Sequence, residues 1–158
     1  IAITDFYVRQ KNYQKALFYV NKAIGIDNEN KIYWKRYATI NRALDFFEEA
    51  EIGYRKAVEF GDYELDTWLF WVDILQYLGE FDAAIHTLLQ ATEYFPEEFQ
   101  LEYRLGGLYF MQDDATKGKF HLSNGLRLSF ENHILIETLF PAIWENSEVQ
   151  EIISQHEK

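Results

Sequence analysis

The sequence predicts an all-α fold, a superhelical solenoid of antiparallel helix pairs, and three observations predict it. First, small residues recur at a step of 34: Ala16, Ala50, Ala84 and Gly118 at one phase, Ala23, Ala57, Ala91 and Gly125 at another. Alanine and glycine together fill only 20 of 158 positions, so eight of them in register is not an accident of composition. Second, bulky residues keep the same step. Val20, Tyr54, Leu88 and Leu122 form one series; Tyr13, Phe47 and Phe81 form another, which Ala115 ends; Trp34 and Trp68 form a third. Third, apolar residues inside each repeat fall at i, i+3, i+4 and i+7, the spacing of one helical face. Two helices approach closely only where a side chain is a methyl group or absent, and the aromatic rings of the neighbour fill the space left. One helical hairpin cannot bury its apolar face alone, so hairpins must stack.

The elements follow in order. Residues 1–30 read as a hairpin lacking its first few positions, with Ile3, Tyr7, Tyr13, Ala16, Val20 and Ala23 in register. Residues 31–64 carry Trp34, Ala38, Phe47, Ala50, Tyr54 and Ala57, and Glu48, Glu49 and Glu51 open the second helix, where the helix dipole favours negative charge. In 65–98 the first helix runs through Leu65, Trp68, Trp71, Val72, Leu75 and Leu78 and ends at Gly79. Its partner carries Phe81, Ala84, Ile85, Leu88 and Ala91, and Pro96 stops it. In 99–130, Gly106-Gly107 permits close helix contact and Asp113-Asp114 reads as a turn with an N-cap. Residues 131–158 leave the pattern. HILIETLF is an apolar helical piece that Pro141 interrupts, and Ser147 with Gln150 three later reads as a capped helix start. The expected organisation is four hairpins over 1–130 (1–30 partial, 31–64, 65–98 and 99–130) and capping helices over 131–158. The alternative for the tail is that it occupies its own groove.

On these residues the chain resembles the tetratricopeptide repeat family. Trp68, Leu75, Gly79, Phe81, Ala84, Leu88, Ala91 and Pro96 fit its 34-residue motif, and roughly 130 residues share the resemblance. Val72, Asn41 and Glu102 depart from it. The resemblance implies a right-handed superhelix whose inner groove, lined by the first helix of each repeat, holds a protein or peptide. Transferring the family's inward positions gives Ile32, Lys35, Arg36, Thr39 and Arg42; Asp66, Leu69, Phe70, Asp73, Gln76 and Tyr77; and Gln100, Tyr103, Arg104, Phe110 and Met111. Basic side chains set among aromatic and apolar ones suit a ligand with an acidic group and an apolar anchor, because arginine forks a carboxylate. Thr39 and Phe70 stand where the family's carboxylate clamp needs asparagine, which argues against that clamp.

Charge and composition narrow the function further. The net charge of −11 sets the chain against phosphate backbones, so no nucleic-acid partner is expected. The charge is uneven: residues 1–30 sum to +1, whereas 65–98 sum to −7 with no Lys or Arg. A basic partner for that acidic stretch is a further possibility. No run of 18 apolar residues implies a membrane span, and the absence of cysteine excludes thiol chemistry. The four histidines lack metal-ligand spacing and no serine sits in a nucleophile elbow, so neither metal, cofactor nor enzymatic activity is expected. The start at Ile1 without methionine is read as the C-terminal piece of a longer chain. Ile1, Ile3 and Tyr7 form a candidate seam for upstream repeats or for a second copy in a homo-oligomer.

Overall fold

The structure is a computed structural model and describes residues 1–157. Every regular element among these residues is helical. The helices are α1 (Ala2–Arg9), α2 (Tyr13–Ile26), α3 (Lys31–Ala43), α4 (Phe47–Glu59), α5 (Leu65–Tyr77), α6 (Phe81–Tyr94), α7 (Phe99–Met111) and α8 (Ala115–Leu128). A 3-10 turn at Phe130–Asn132 leads to α9 (Leu135–Leu139), α10 (Pro141–Trp144) and α11 (Ser147–His156). The chain divides into two compact units, Ile1–Glu80 and Phe81–Lys158.

In the first unit each helix packs on the next, α1 on α2 through α4 on α5. The small residues lie where the helices close on each other. Ala16, Ala50 and Ala57 are fully buried and Ala23 is half-buried. Ala16, Val20 and Ile40 form a core cluster against which Tyr7, Tyr13, Leu17 and Tyr37 pack. A bulky side chain at Ala16 has nowhere to go without moving two helices.

The second unit follows the same logic. Ala84 and Ala91 are fully buried on α6, and α6 packs on α7, which packs on α8. Gly125 faces the Tyr103 ring so closely that an added Cβ would sit 2.9 Å from it. Both α9 and α10 lie against α7, and α11 lies against α8. Pro141 opens α10, where its missing N–H costs nothing. The cap of α11 differs from the sequence expectation: Asn146, not Ser147, accepts from the N–H groups of Glu148 and Val149. Both residues are competent caps, and Asn146 is the one with extended backbone.

The corner between the two helices of each hairpin is a shared device. Lys11, Asp45, Gly79 and Asp113 all adopt positive φ, and they are 34 residues apart. At each, two N–H groups turn back to the last carbonyls of the preceding helix. In the first corner Lys11 donates to Val8 and Asn12 to Tyr7; in the second Asp45 donates to Arg42 and Phe46 to Asn41. Gly79 and Glu80, then Asp113 and Asp114, repeat the pair. This is the left-handed helix C-cap, and it closes orphan carbonyls within three connecting residues.

Candidate peptide-binding face

Asn30 starts α3 by accepting from the N–H groups of Ile32 and Tyr33, and that start fixes the helical phase. The phase puts Lys35, Arg36, Thr39 and Arg42 on one stretch of helix surface, since residues three and four apart share a face. All four lie in the first unit with α1 and α5 on either side.

Lys35 reaches toward α5. Its ammonium is 2.9 Å from Asp66, 3.1 Å from Glu64 and 3.9 Å from Asp62. Burial works to lower its pKa, but the hydrogen bonds to Asp66 and Glu64 and the charge of Asp62 outweigh it and raise the pKa above the ordinary lysine value. Lys35 is therefore a fixed cation at neutral pH. Arg36 reaches the other way. Its Nε donates to Asp5 on α1 at 2.7 Å. No other group among the described residues takes a hydrogen bond from this guanidinium, so its terminal N–H groups are oriented and unspent. Further along, Arg42 lies 3.9 Å from the centre of the Phe70 ring, and the Thr39 hydroxyl meets the Tyr54 hydroxyl at 3.2 Å.

Two clefts flank this row. One, of about 400 Å³, is lined by Asp5, Val8, Arg9, Lys35, Arg36 and Ile40. The other, of about 290 Å³, is lined by Ile32, Lys35, Arg36, Asp62, Tyr63 and Glu64. The first has three cations against one carboxylate, beside apolar Val8 and Ile40. The second, which Lys31 also lines, has three cations against two carboxylates.

The residues expected from the sequence divide by unit. Lys35, Arg36, Arg42, Leu69, Phe70 and Asp73 are half-buried in the first unit, and Tyr77 is exposed with its ring 4.4 Å from that of Phe47. Met111 is half-buried in the second unit. Tyr103, Arg104 and Phe110 correct the expectation: all three are buried. The Tyr103 hydroxyl donates to the Ser129 carbonyl at 2.6 Å, and Arg104 donates to the carbonyl and side chain of Gln100. Phe110 packs on Gly118. The physical reason is that α8, α9 and α10 all lie against α7, so positions that are open on α3 are enclosed there.

Asp5, Val8 and Arg9 were missed. The signal was present: carrying the same inward offsets back by 34 from Thr39, Arg42 and Ala43 lands on Asp5, Val8 and Arg9.

The fold defines a class, the helical-hairpin repeat proteins. A family model for the tetratricopeptide repeat matches residues 4–30, which span α1 and α2. The chain superposes on the crystal structure of MamA with a TM-score of 0.79 at 14% identity, covering 99% of this chain and 93% of that one. YrrB, described as a TPR protein with an unusual peptide-binding site, gives 0.74 at 14% identity over 99% and 82%. The pilF protein of Pseudomonas aeruginosa gives 0.66 at 18% identity over 99% and 74%. No curated protein matches the chain. One repeat, residues 4–30, matches the tetratricopeptide repeat family directly, and the chain as a whole shares the fold of these structures.

Proposed function

We propose that the α1–α3–α5 face of the first unit binds a protein or peptide segment that carries a carboxylate beside an apolar anchor, by recognition without turnover. The observation that carries this reading is Arg36. Asp5 orients its guanidinium, its terminal donors are unspent, and it walls a cleft that also holds Lys35, Arg9, Val8 and Ile40. A carboxylate entering there meets a preorganised fork, and an adjacent aliphatic side chain meets Val8 and Ile40. Preorganisation limits the entropy lost on binding. The peptide-binding site named for YrrB supports a similar use of this fold.

The test is a panel of short peptides that vary charge and apolar content, measured by fluorescence anisotropy. Peptides pairing Asp or Glu with Leu or Phe are expected to bind. Arg36→Glu is expected to weaken them by about tenfold or more, as loss of an anchoring arginine does, while leaving the melting curve unchanged. Equal affinity for acidic and basic peptides, or unchanged affinity in Arg36→Glu, would remove the proposal.

A further inference from the structure

One hairpin corner differs from the others in what it presents to solvent. The residue just before the second helix of a hairpin is Asn12, Phe46, Glu80 or Asp114. Asn12 and Asp114 each accept from a backbone N–H three residues on, at Lys15 and Lys117. Phe46 has the same backbone, φ −91° and ψ 74° against −94° and 76° at Asn12 and −99° and 77° at Asp114, but its side chain caps nothing. The chain forgoes a cap that asparagine would supply here. Packing does not account for the choice, because Phe46 is 49% exposed.

Phe46 is one wall of a cleft. The cleft, of about 260 Å³, lies between this corner and the end of α5 and is lined by Asp45, Phe46, Phe47, Glu48, Glu49 and Leu78. All six belong to the first unit. Beyond Phe47 the aromatic surface continues in Tyr77, 71% exposed with its ring 4.4 Å from that of Phe47.

The rim carries one sign of charge. Asp45, Glu48 and Glu49 are exposed, and no Lys or Arg lines the cleft. Among the described residues none of these three carboxylates makes an ion pair or a side-chain hydrogen bond. Other corners differ. The first has Lys11 and Lys15 where this one has Asp45 and Glu49, and in the fourth the Lys117 ammonium lies 4.0 Å from Asp114. The α4 dipole accounts for acidic side chains in its first turn, but not for an exposed aromatic residue at the capping position.

An apolar cleft with a carboxylate rim complements a side chain that has an aliphatic stem and a cationic head. Arginine fits best, since its planar head lies on aromatic rings and forks a carboxylate. We propose that this cleft holds an arginine side chain from a basic segment of a partner protein. The stem lies against Phe46, Phe47 and Leu78, and the guanidinium meets Asp45, Glu48 and Glu49. The site shares no lining residue with the Arg36 cleft and does not rest on the function proposed for it.

The test uses the whole chain and a labelled, end-capped peptide, GSLRVRLSG, followed by fluorescence anisotropy. Saturable binding is expected, and none for the peptide with both arginines replaced by glutamate. Lysine in place of both arginines is expected to weaken it by about threefold. Glu48→Gln/Glu49→Gln is expected to weaken it by about tenfold or more, as loss of a charged anchor does. Phe46→Asn restores a cap, so it is expected to melt no lower than the native chain while binding at least threefold more weakly. Arg36→Gln is expected to leave binding unchanged. Equal weakening by the distant, exposed pair Glu93→Gln/Glu137→Gln would assign binding to net charge and overturn the proposal. Unchanged affinity in Phe46→Asn, or equal affinity for the lysine peptide, overturns it as well. So does dimerisation in sedimentation runs that Phe46→Asn abolishes, since a second copy then fills the cleft.

Discussion

Arg36 and Arg104 stand two repeats apart at the same repeat position, yet they live in different surroundings. The Arg36 side chain is 39% exposed on α3 and holds Asp5 across a cleft. Arg104 is buried on α7 and turns back to Gln100 on its own helix. The helices are alike in length and in pattern. What differs is what lies against them: α9 and α10 pack on α7, and the Phe140 ring seats directly on Gly107. A repeat position therefore fixes the direction in which a side chain points, while the next element of the chain fixes whether anything else can reach it.

The sharpest way to break this contrast is to unseat the closed side. Phe140 is fully enclosed, and Phe140→Ala is expected to cost about 3–5 kcal/mol, the usual range for a buried aromatic truncation. Urea denaturation followed by circular dichroism measures it. A loss below about 1 kcal/mol would mean that Phe140 does not hold the closed face together.

Next in size is a pH effect confined to the closed side. Burial raises the Tyr103 pKa to about 12 from an unfolded value of about 10. The folded state holds this proton more tightly, so the contribution is complete below pH 10 and is lost as pH rises from 10 to 12. Two pH units at about 1.4 kcal/mol each bound the effect at roughly 2.7 kcal/mol. Chemical denaturation at pH 9 and pH 11.5 is expected to show the fall in the native chain and a smaller fall in Tyr103→Phe. An identical fall in both would assign it to other groups.

The arginine pair gives a direct comparison. Arg104→Gln is expected to cost about 1–3 kcal/mol, because a buried charged donor to the half-buried Gln100 is lost. Arg36→Gln is expected to cost no more than about 1 kcal/mol, as exposed ion pairs do. Matched melting curves decide it, and equal losses would erase the distinction between the two faces.

The smallest expected effect tests the corners common to both regions. Lys11 holds a left-handed conformation that favours glycine. Lys11→Gly is expected to raise stability by about 0.5–1 kcal/mol. A loss instead would show that the Lys11 side chain stabilises the corner more than its backbone conformation costs.

Much of the fold was legible because packing leaves a chemical trace. Ala16, Ala50 and Ala84 are small for a geometric reason, and the reason repeats with the hairpin. Gly79 announced its own corner. Lys11, Asp45 and Asp113 did not, because those residues tolerate positive φ without requiring it. The proposed face lies on α3, where Lys35 and Arg36 are half-buried and border two clefts. It was misread on α7, because the sequence of α7 does not say that Phe140, thirty residues later, will settle on Gly107. HILIETLF reads as an apolar helical piece, but its target is a tertiary fact. Asp5 and Arg9 occupy in the first hairpin the repeat positions that Thr39 and Ala43 occupy in the second.

The 34-residue corners set where this chain tolerates insertions. Each is three residues long and commits two N–H groups to the helix behind it, so one added residue forfeits both bonds and rotates the following helix by about 100°. The stretch 27–30 between α2 and α3 has no such double bond to lose. Tags, cleavage sites and reporter loops belong there and not at the hairpin tips, nor in the stretch 60–64, where Gly61 and Asp62 make the same pair of bonds to Val58 and Ala57.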